Sequence, residues 1–271
     1  MNILLIGCGN MGGAMLSAWL ESGLITRAVV VDHAVQEIRH RFSQHGHLLD
    51  IYPDVENLPH DATFDLSVLA VKPQQMTELL ASLAPYIKSE LPILTIAAGL
   101  RTSYYKRYLP GHAIIRAMPN LPAMIGRGMT VGVRDTTISE KLIAQIETLL
   151  TATGDFFWLD SEQELDAAMA ISGSGPAYFF YLAENLAKTG VTNGLTEEQA
   201  MRLARQTLIG AGAVADARAS TSLMQLRKDV TSPGGVTAAA IKVWDTMASF
   251  QNLIQSGINA NVQRAQELAD T

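Results

Sequence analysis

Cysteine is nearly absent: Cys8 is the only one in 271 residues, so no intramolecular disulfide can form. Neither C-x-x-C nor H-E-x-x-H spacing occurs and the six histidines are scattered, which leaves no metal-ligand signature and reads each histidine as a surface or structural residue. No apolar run approaches the ~20 residues that a membrane-spanning helix requires, and the N-terminus lacks the charged region of a signal peptide. A formal net charge of -6, with no dense Lys/Arg block, gives no electrostatic footprint for nucleic acid or an anionic membrane. These absences predict a soluble, cytoplasmic protein whose partner is a small molecule. Hydrophobic residues are not scarce: at 48%, they suffice for two ordinary cores.

The two halves differ in rhythm. Up to about Asp160, short apolar runs (NILLIG, RAVVVD, DLSVLAV, PILTIAAG, HAIIRAM, MTVGV and DFFWL) alternate with helical stretches at Gly13–Ser22, Val35–His45, Gln75–Ala84 and Ser139–Ala152. The runs lack strict in/out alternation, as expected of strands covered on both faces, and predict a doubly wound, mainly parallel α/β sheet of Rossmann type over residues 1–160. Beyond Asp160 the strand signal ends, and residues 161–271 read as an all-α domain. Thr196 and Gln199 form a capping box opening a helix over Glu197–Val214, and the small residues Gly210, Ala211, Gly212 and Ala213 would let another helix approach closely. Long apolar helix faces with few layers to cover them suggest subunit pairing.

The first run leads into Gly7, Gly9 and Gly12 at G-x-G-x-x-G spacing. Gly7 permits a tight turn, Gly9 lets backbone approach a pyrophosphate, and Gly12 allows close helix–strand packing while the helix N-terminus faces the phosphates. Asp32 ends the second strand, 20 residues beyond Gly12, where a carboxylate bonds adenosine ribose hydroxyls. It would also repel a 2′-phosphate, and the nearest bases, Arg39 and Arg41, lie on the following helix, so NADH is expected in preference to NADPH. Two later stretches, SGSGPAY and TSPGG, set small residues and a proline before a helical run. Amides at such helix starts form an anion site without charged side chains, although plain Pro/Gly caps would read the same.

Six segments together resemble the pyrroline-5-carboxylate reductases: IGCGNMG at Ile6–Gly12, AVKP at Ala70–Pro73, AAG at Ala97–Gly99, RAMPN at Arg116–Asn120, SGSGPAY at Ser172–Tyr178 and SPGG at Ser232–Gly235. The resemblance implies hydride transfer from NADH or NADPH to a cyclic imine, giving L-proline, the last step of proline biosynthesis. It also implies a Rossmann domain followed by a helical dimerisation domain, and thus a homodimer or a ring of dimers. Carried over residue by residue, Ile6, Gly7, Cys8, Gly9, Asn10, Met11 and Gly12 would contact the cofactor. So would Ala70, Val71, Lys72 and Pro73, the Lys72 ammonium itself being a surface charge, together with Ala97. Asn57 would lie near the adenosine ribose and Asn120 near the nicotinamide. Ser172, Ser174, Gly175, Ser232, Gly234, Gly235, Val236 and Thr237 would receive the substrate, with the Thr237 hydroxyl orienting the ring nitrogen. A protonated imine needs no strong acid, so positioning is the expected catalytic term.

The chain departs from the family pattern at Leu121, at Val236 and at ASTSLM (Ala219–Met224), where relatives generally carry an acidic residue and His-Pro. A β-hydroxyacid dehydrogenase would need a lysine shortly after the glycine-rich turn, but Phe179 stands four residues beyond Gly175 and the first lysine on that helix is Lys188. A dinucleotide-binding sensor without turnover is the other alternative.

Overall fold

The computed structural model describes residues 1–59, 61–88, 90–246 and 250–269. Runs of Val, Ile and Leu between turn residues form β1 (Asn2–Ile6), β2 (Arg27–Val31), β3 (Leu49–Tyr52), β4 (Leu66–Leu69), β5 (Ile93–Thr95), β6 (Ile114–Met118), β7 (Gly128–Arg134) and β8 (Gly154–Trp158). They make one eight-stranded sheet in the order β3-β2-β1-β4-β5-β6-β7-β8. The first six run parallel; β7 is antiparallel to β6, and β8 parallel to β7. β4, β5 and β6 are buried at every position, as both-face coverage demands.

α1 (Asn10–Glu21), α2 (Val35–Arg41) and α5 (Glu140–Thr151) cover one face with Met15, Leu16, Trp19, Ile38, Ile146 and Leu149. The wholly buried Trp19 donates its indole N–H to the Leu149 carbonyl at 2.8 Å, joining α1 to α5. α3 (Met76–Leu83) and α4 (Thr102–Tyr108) cover the other face through Met76, Leu80, Leu83 and Tyr105. The doubly wound fold expected from the sequence is therefore present, with two additions. β3 is a short, half-buried edge strand containing Asp50, too weakly patterned to be read as a strand. α4 is held by tertiary contacts described below. α2 also stops at Arg41 rather than His45, passing into a 3₁₀ turn over Ser43–Leu48 that contains Gly46.

After β8 come α6 (Glu162–Ala168), α7 (Gly175–Thr192), α8 (Glu197–Ala217), α9 (Leu223–Asp229), α10 (Val236–Thr246) and α11 (Phe250–Ala269). The chain forms two compact units, residues 1–174 with 262–271, and residues 175–261. In the second unit α7 packs on α8 through Ala183, Ala187, Ala200 and Ala204. The Thr196–Gln199 capping box starts α8 as expected. The close approach is at Gly190, where a Cβ would lie 3.2 Å from that of Ala200. Gly210 and Gly212, expected to admit a helix, have nothing near them among the described residues and leave that stretch of α8 open. Tyr178, Phe179, Phe180 and Tyr181, consecutive on α7, are all exposed.

Candidate active site

The strand order reverses between β1 and β4, and the crevice at the carboxyl ends of these strands is where open α/β sheets take ligands. The Gly7 N–H donates to the Val31 carbonyl, and the Ala70 N–H to the Ile6 carbonyl, so the two loops leave the sheet side by side. Gly7 sits at φ +90°, and a Cβ there would lie 2.7 Å from the Ala70 carbonyl oxygen. A Cβ at Gly12 would run into the carbonyl of Gly7, whereas one at Gly9 would meet nothing within 4 Å. Gly7 and Gly12 are thus glycines because protein closes over them; Gly9 faces open space. α1 begins at Gly9, with no capping side chain and no acidic residue in its first turn. The amides of Asn10, Met11 and Gly12 consequently lack intrahelical acceptors, and the helix dipole favours an anion beside them. This cradle fits the pyrophosphate of a dinucleotide.

Asp32 accepts from the Cys8 N–H at 2.7 Å and the Ala34 N–H at 2.9 Å, bracing the glycine turn against the end of β2. The Arg41 guanidinium packs where a Gly13 Cβ would stand and lies 5.0 Å from the centre of the Phe42 ring. Burial pushes the Cys8 thiol up to about 11 although Arg41 pulls the other way, so Cys8 is a packed neutral group rather than a nucleophile. Lys72 and Pro73 begin a 3₁₀ turn after β4, with Lys72 exposed, and Asn57 is exposed at the end of a turn after β3. At the end of β5 the Ala97 N–H donates to the Thr95 hydroxyl, which pairs with the Tyr105 hydroxyl at 2.8 Å. Burial pushes the Tyr105 phenol up to about 12.

Asn120, at the end of RAMPN, is a clamp: its Oδ1 accepts from the Met129 N–H at 2.8 Å, and its Nδ2 donates to the Ser172 carbonyl at 3.0 Å. In the segment that it grips α6 leads in through a π turn, and a helix begins at Gly175, as the sequence suggests. α6 continues directly into a π turn, Met169–Gly173, and the Ser174 N–H donates to the Met169 carbonyl. The extra residue of a π turn re-aims Ser172 before the run ends at Gly173 and α7 begins at Gly175, a distortion frequent at functional sites. The second elbow is as the sequence suggests. Pro233 and Gly234, at φ +71°, form a turn closed by the Gly235 N–H on the Ser232 carbonyl at 2.9 Å. The Ala239 N–H then donates to the Gly235 carbonyl, so α10 starts there with the amides of Val236, Thr237 and Ala238 left without intrahelical partners. Val236 is 91% exposed and the first turn holds no acid.

Sequence reasoning missed a group of charges behind the first elbow. Arg116, only 3% exposed in β6, donates to Glu162 Oε1 at 2.6 Å. The same oxygen accepts from the Thr102 N–H at 2.8 Å and the Thr102 hydroxyl at 2.9 Å, capping α4 from outside. Arg101 reaches Asp166 at 3.3 Å. Burial works to raise the Glu162 carboxyl, but the bonds from Thr102 and Arg116 outweigh it and hold it low; at Asp166 burial prevails over Arg101 and raises it. An arginine inside IIRAM and the i, i+4 pair Glu162/Asp166 were the only hints. No group of three or more His, Cys, Asp or Glu among the described residues is placed to hold a metal ion, and no helix there is long and apolar enough to cross a membrane.

Residues 162–268 match the family described as pyrroline-5-carboxylate reductase dimerisation, and residues 2–99 match NADP oxidoreductase coenzyme F420-dependent. The pyrroline-5-carboxylate reductase of Pseudomonas aeruginosa is 35% identical over 269 residues, covering 99% of this chain and 97% of that protein. That of Haemophilus influenzae is 33% identical over 267 residues, covering 98% and 97%. The solved pyrroline-5-carboxylate reductase of Coxiella burnetii superposes with a TM-score of 0.88 at 31% identity, covering 100% of this chain and 99% of that one. Identity at this level along the whole length, joined to the glycine cradle and both Pro/Gly elbows, shows that the chain belongs to the pyrroline-5-carboxylate reductase family.

Proposed function

We propose that this protein reduces 1-pyrroline-5-carboxylate to L-proline at the expense of NADH or NADPH. The observation that carries the reading is an open helix start at Gly235 that offers amides but no acid, in a chain that also carries a dinucleotide cradle. When bound, the reduced nicotinamide supplies the hydride. The residues of the chain then have only binding and orientation to perform. Amides along Ser232–Thr237 take the substrate carboxylate, and the Thr237 hydroxyl accepts from the protonated ring nitrogen. Hydride addition at the imine carbon discharges that cation, so no proton donor is needed in the step. Ser172, Ser174 and Gly175 also take part in substrate binding in this reading. The cofactor lies along Ile6–Gly12 and Ala70–Pro73, with Ala97, Asn57 and Asn120 beside it. The test is NADH or NADPH oxidation by the purified protein with pyrroline-5-carboxylate. Dinucleotide binding without turnover would favour a sensor instead.

Asp32 supports NADH as the better donor, since its carboxylate stands at the end of β2 and Arg41 is turned toward Gly13. The expected kcat/KM is higher with NADH, and Asp32→Asn should move the ratio toward NADPH. A clear wild-type preference for NADPH would refute this assignment.

We further infer a homodimer through residues 175–261. Four consecutive exposed aromatics, Tyr178 to Tyr181, span ~300° of the α7 circumference, so no single internal face could cover them. The family match to a dimerisation domain supports the same reading. Phe179→Glu is expected to leave a species of about half the mass in sedimentation equilibrium; an unchanged mass would place the subunit contact elsewhere.

A further inference from the structure

Arg116 and Asn120 stand four residues apart on one extended segment, and each grips the same helical run: Arg116 holds Glu162 at its start, Asn120 holds the Ser172 carbonyl at its end. Four extended residues span ~13 Å and ten helical residues ~15 Å, so the run from Glu162 to Ser172 can lie along the strand and be fixed at both ends. A buried guanidinium tolerates little freedom in its partner, because withdrawing the carboxylate would leave an unpaired buried charge. Another carboxylate of α6, Asp166, stands one helical turn on from Glu162 and faces Arg101, so the rotation of α6 about its axis is set as well as its position. The π turn continues α6 without a break and inherits that setting.

Resting on the functional reading above, we infer that Glu162 is a positioning residue for the π turn that carries Ser172 and leads to Ser174, acting through Arg116 and Thr102. It touches neither cofactor nor substrate in this assignment. Its role is to hold Ser172 and Ser174 at one distance from the end of β6, where a small displacement costs reaction geometry.

Glu162→Gln is the test, with two readouts on the full-length protein. Hydrogen exchange should quicken about tenfold at the amides of 169–174 while those of β1 and β2 stay as in wild type, as loss of a charge-assisted bond implies. The KM for pyrroline-5-carboxylate should rise about fivefold or more, with the dinucleotide Kd within about twofold of wild type. Faster exchange with an unchanged KM would reduce Glu162 to a stabilising role and overturn the inference, as would no change in either. If wild type itself shows no turnover, the functional reading falls, and the exchange result alone decides whether the clamp exists. Should Glu162→Gln be insoluble, Asp166→Asn, which removes the longer ion pair on the same helix, is expected to give the same pattern at smaller size; its absence there also overturns the inference.

Discussion

Gly12→Ala is expected to lower dinucleotide affinity on the order of a hundredfold and to destabilise the fold. The added methyl would be driven into the Gly7 carbonyl, with the Ala70 Cβ also only 3.0 Å away. Neither obstacle is the end of a flexible side chain. Gly7 has no room to retreat, because its own Cβ position is already closed by the Ala70 carbonyl at 2.7 Å. The strain must move either the glycine turn or the start of α1; a misplacement of about an ångström costs about 10²-fold in rate at a reacting centre, and a similar factor is expected in cofactor affinity. Overpacking of this kind also costs about 1–3 kcal/mol, which in a domain of this size lowers Tm by roughly 2–12 °C. Gly9→Ala makes the necessary contrast. Its Cβ would meet no protein atom and its φ of -68° suits any residue, so Tm should stay within about 1 °C of wild type. Its affinity for NADH should nevertheless fall, because the methyl would occupy the side from which the pyrophosphate approaches. Isothermal titration with NADH and a thermal melt on both variants decide the matter. Normal binding by both would remove the glycine turn from the cofactor site.

Thr237→Ala carries the second large effect, a drop in kcat/KM of about ten- to a hundredfold with NADH binding unchanged. Thr237 lies in the first turn of α10 and is exposed, so removing its hydroxyl leaves no buried group unsatisfied and should not disturb folding. The expected loss is that of a hydrogen bond to a charged partner, about 1.5–3 kcal/mol. Thr237→Ser keeps the hydroxyl and should recover most of the rate. Steady-state kinetics with pyrroline-5-carboxylate, beside fluorescence titration of NADH, separate the two contributions. An alanine variant as fast as wild type would mean that another group orients the ring nitrogen, or that the nitrogen needs no orienting.

Much of the architecture was legible because it depends on local pattern. β1, β2 and β4 to β8 announce themselves as apolar runs, the Thr196–Gln199 box marks the start of α8, and G-x-G-x-x-G after a strand marks the cradle. What escaped depends on partners far away in sequence. β3 is a strand because Ala28 to Val31 stand beside it in register, and α4 is capped by a carboxylate 60 residues downstream. SGSGPAY illustrates the limit from the other side. Its small residues and proline suit a helix start, and α7 does begin at Gly175, but the π turn by which α6 leads into it, gripped by Asn120, has no local signal.

Residue order alone was sufficient for the doubly wound sheet, the glycine turn over Gly7–Gly12 and the elbow at Ser232–Gly235. Each follows from hydrophobic period or from backbone freedom within a few neighbouring residues. The tertiary fold decided which glycines are walled in by protein and which looks outward. It also turned Asp32 into a brace for the Cys8 amide, and it enclosed Arg116 with the carboxylate of Glu162, 46 positions along the chain. Those outcomes depend on burial and on the distance between remote segments, quantities that exist only once the sheet has closed and water has been excluded from it.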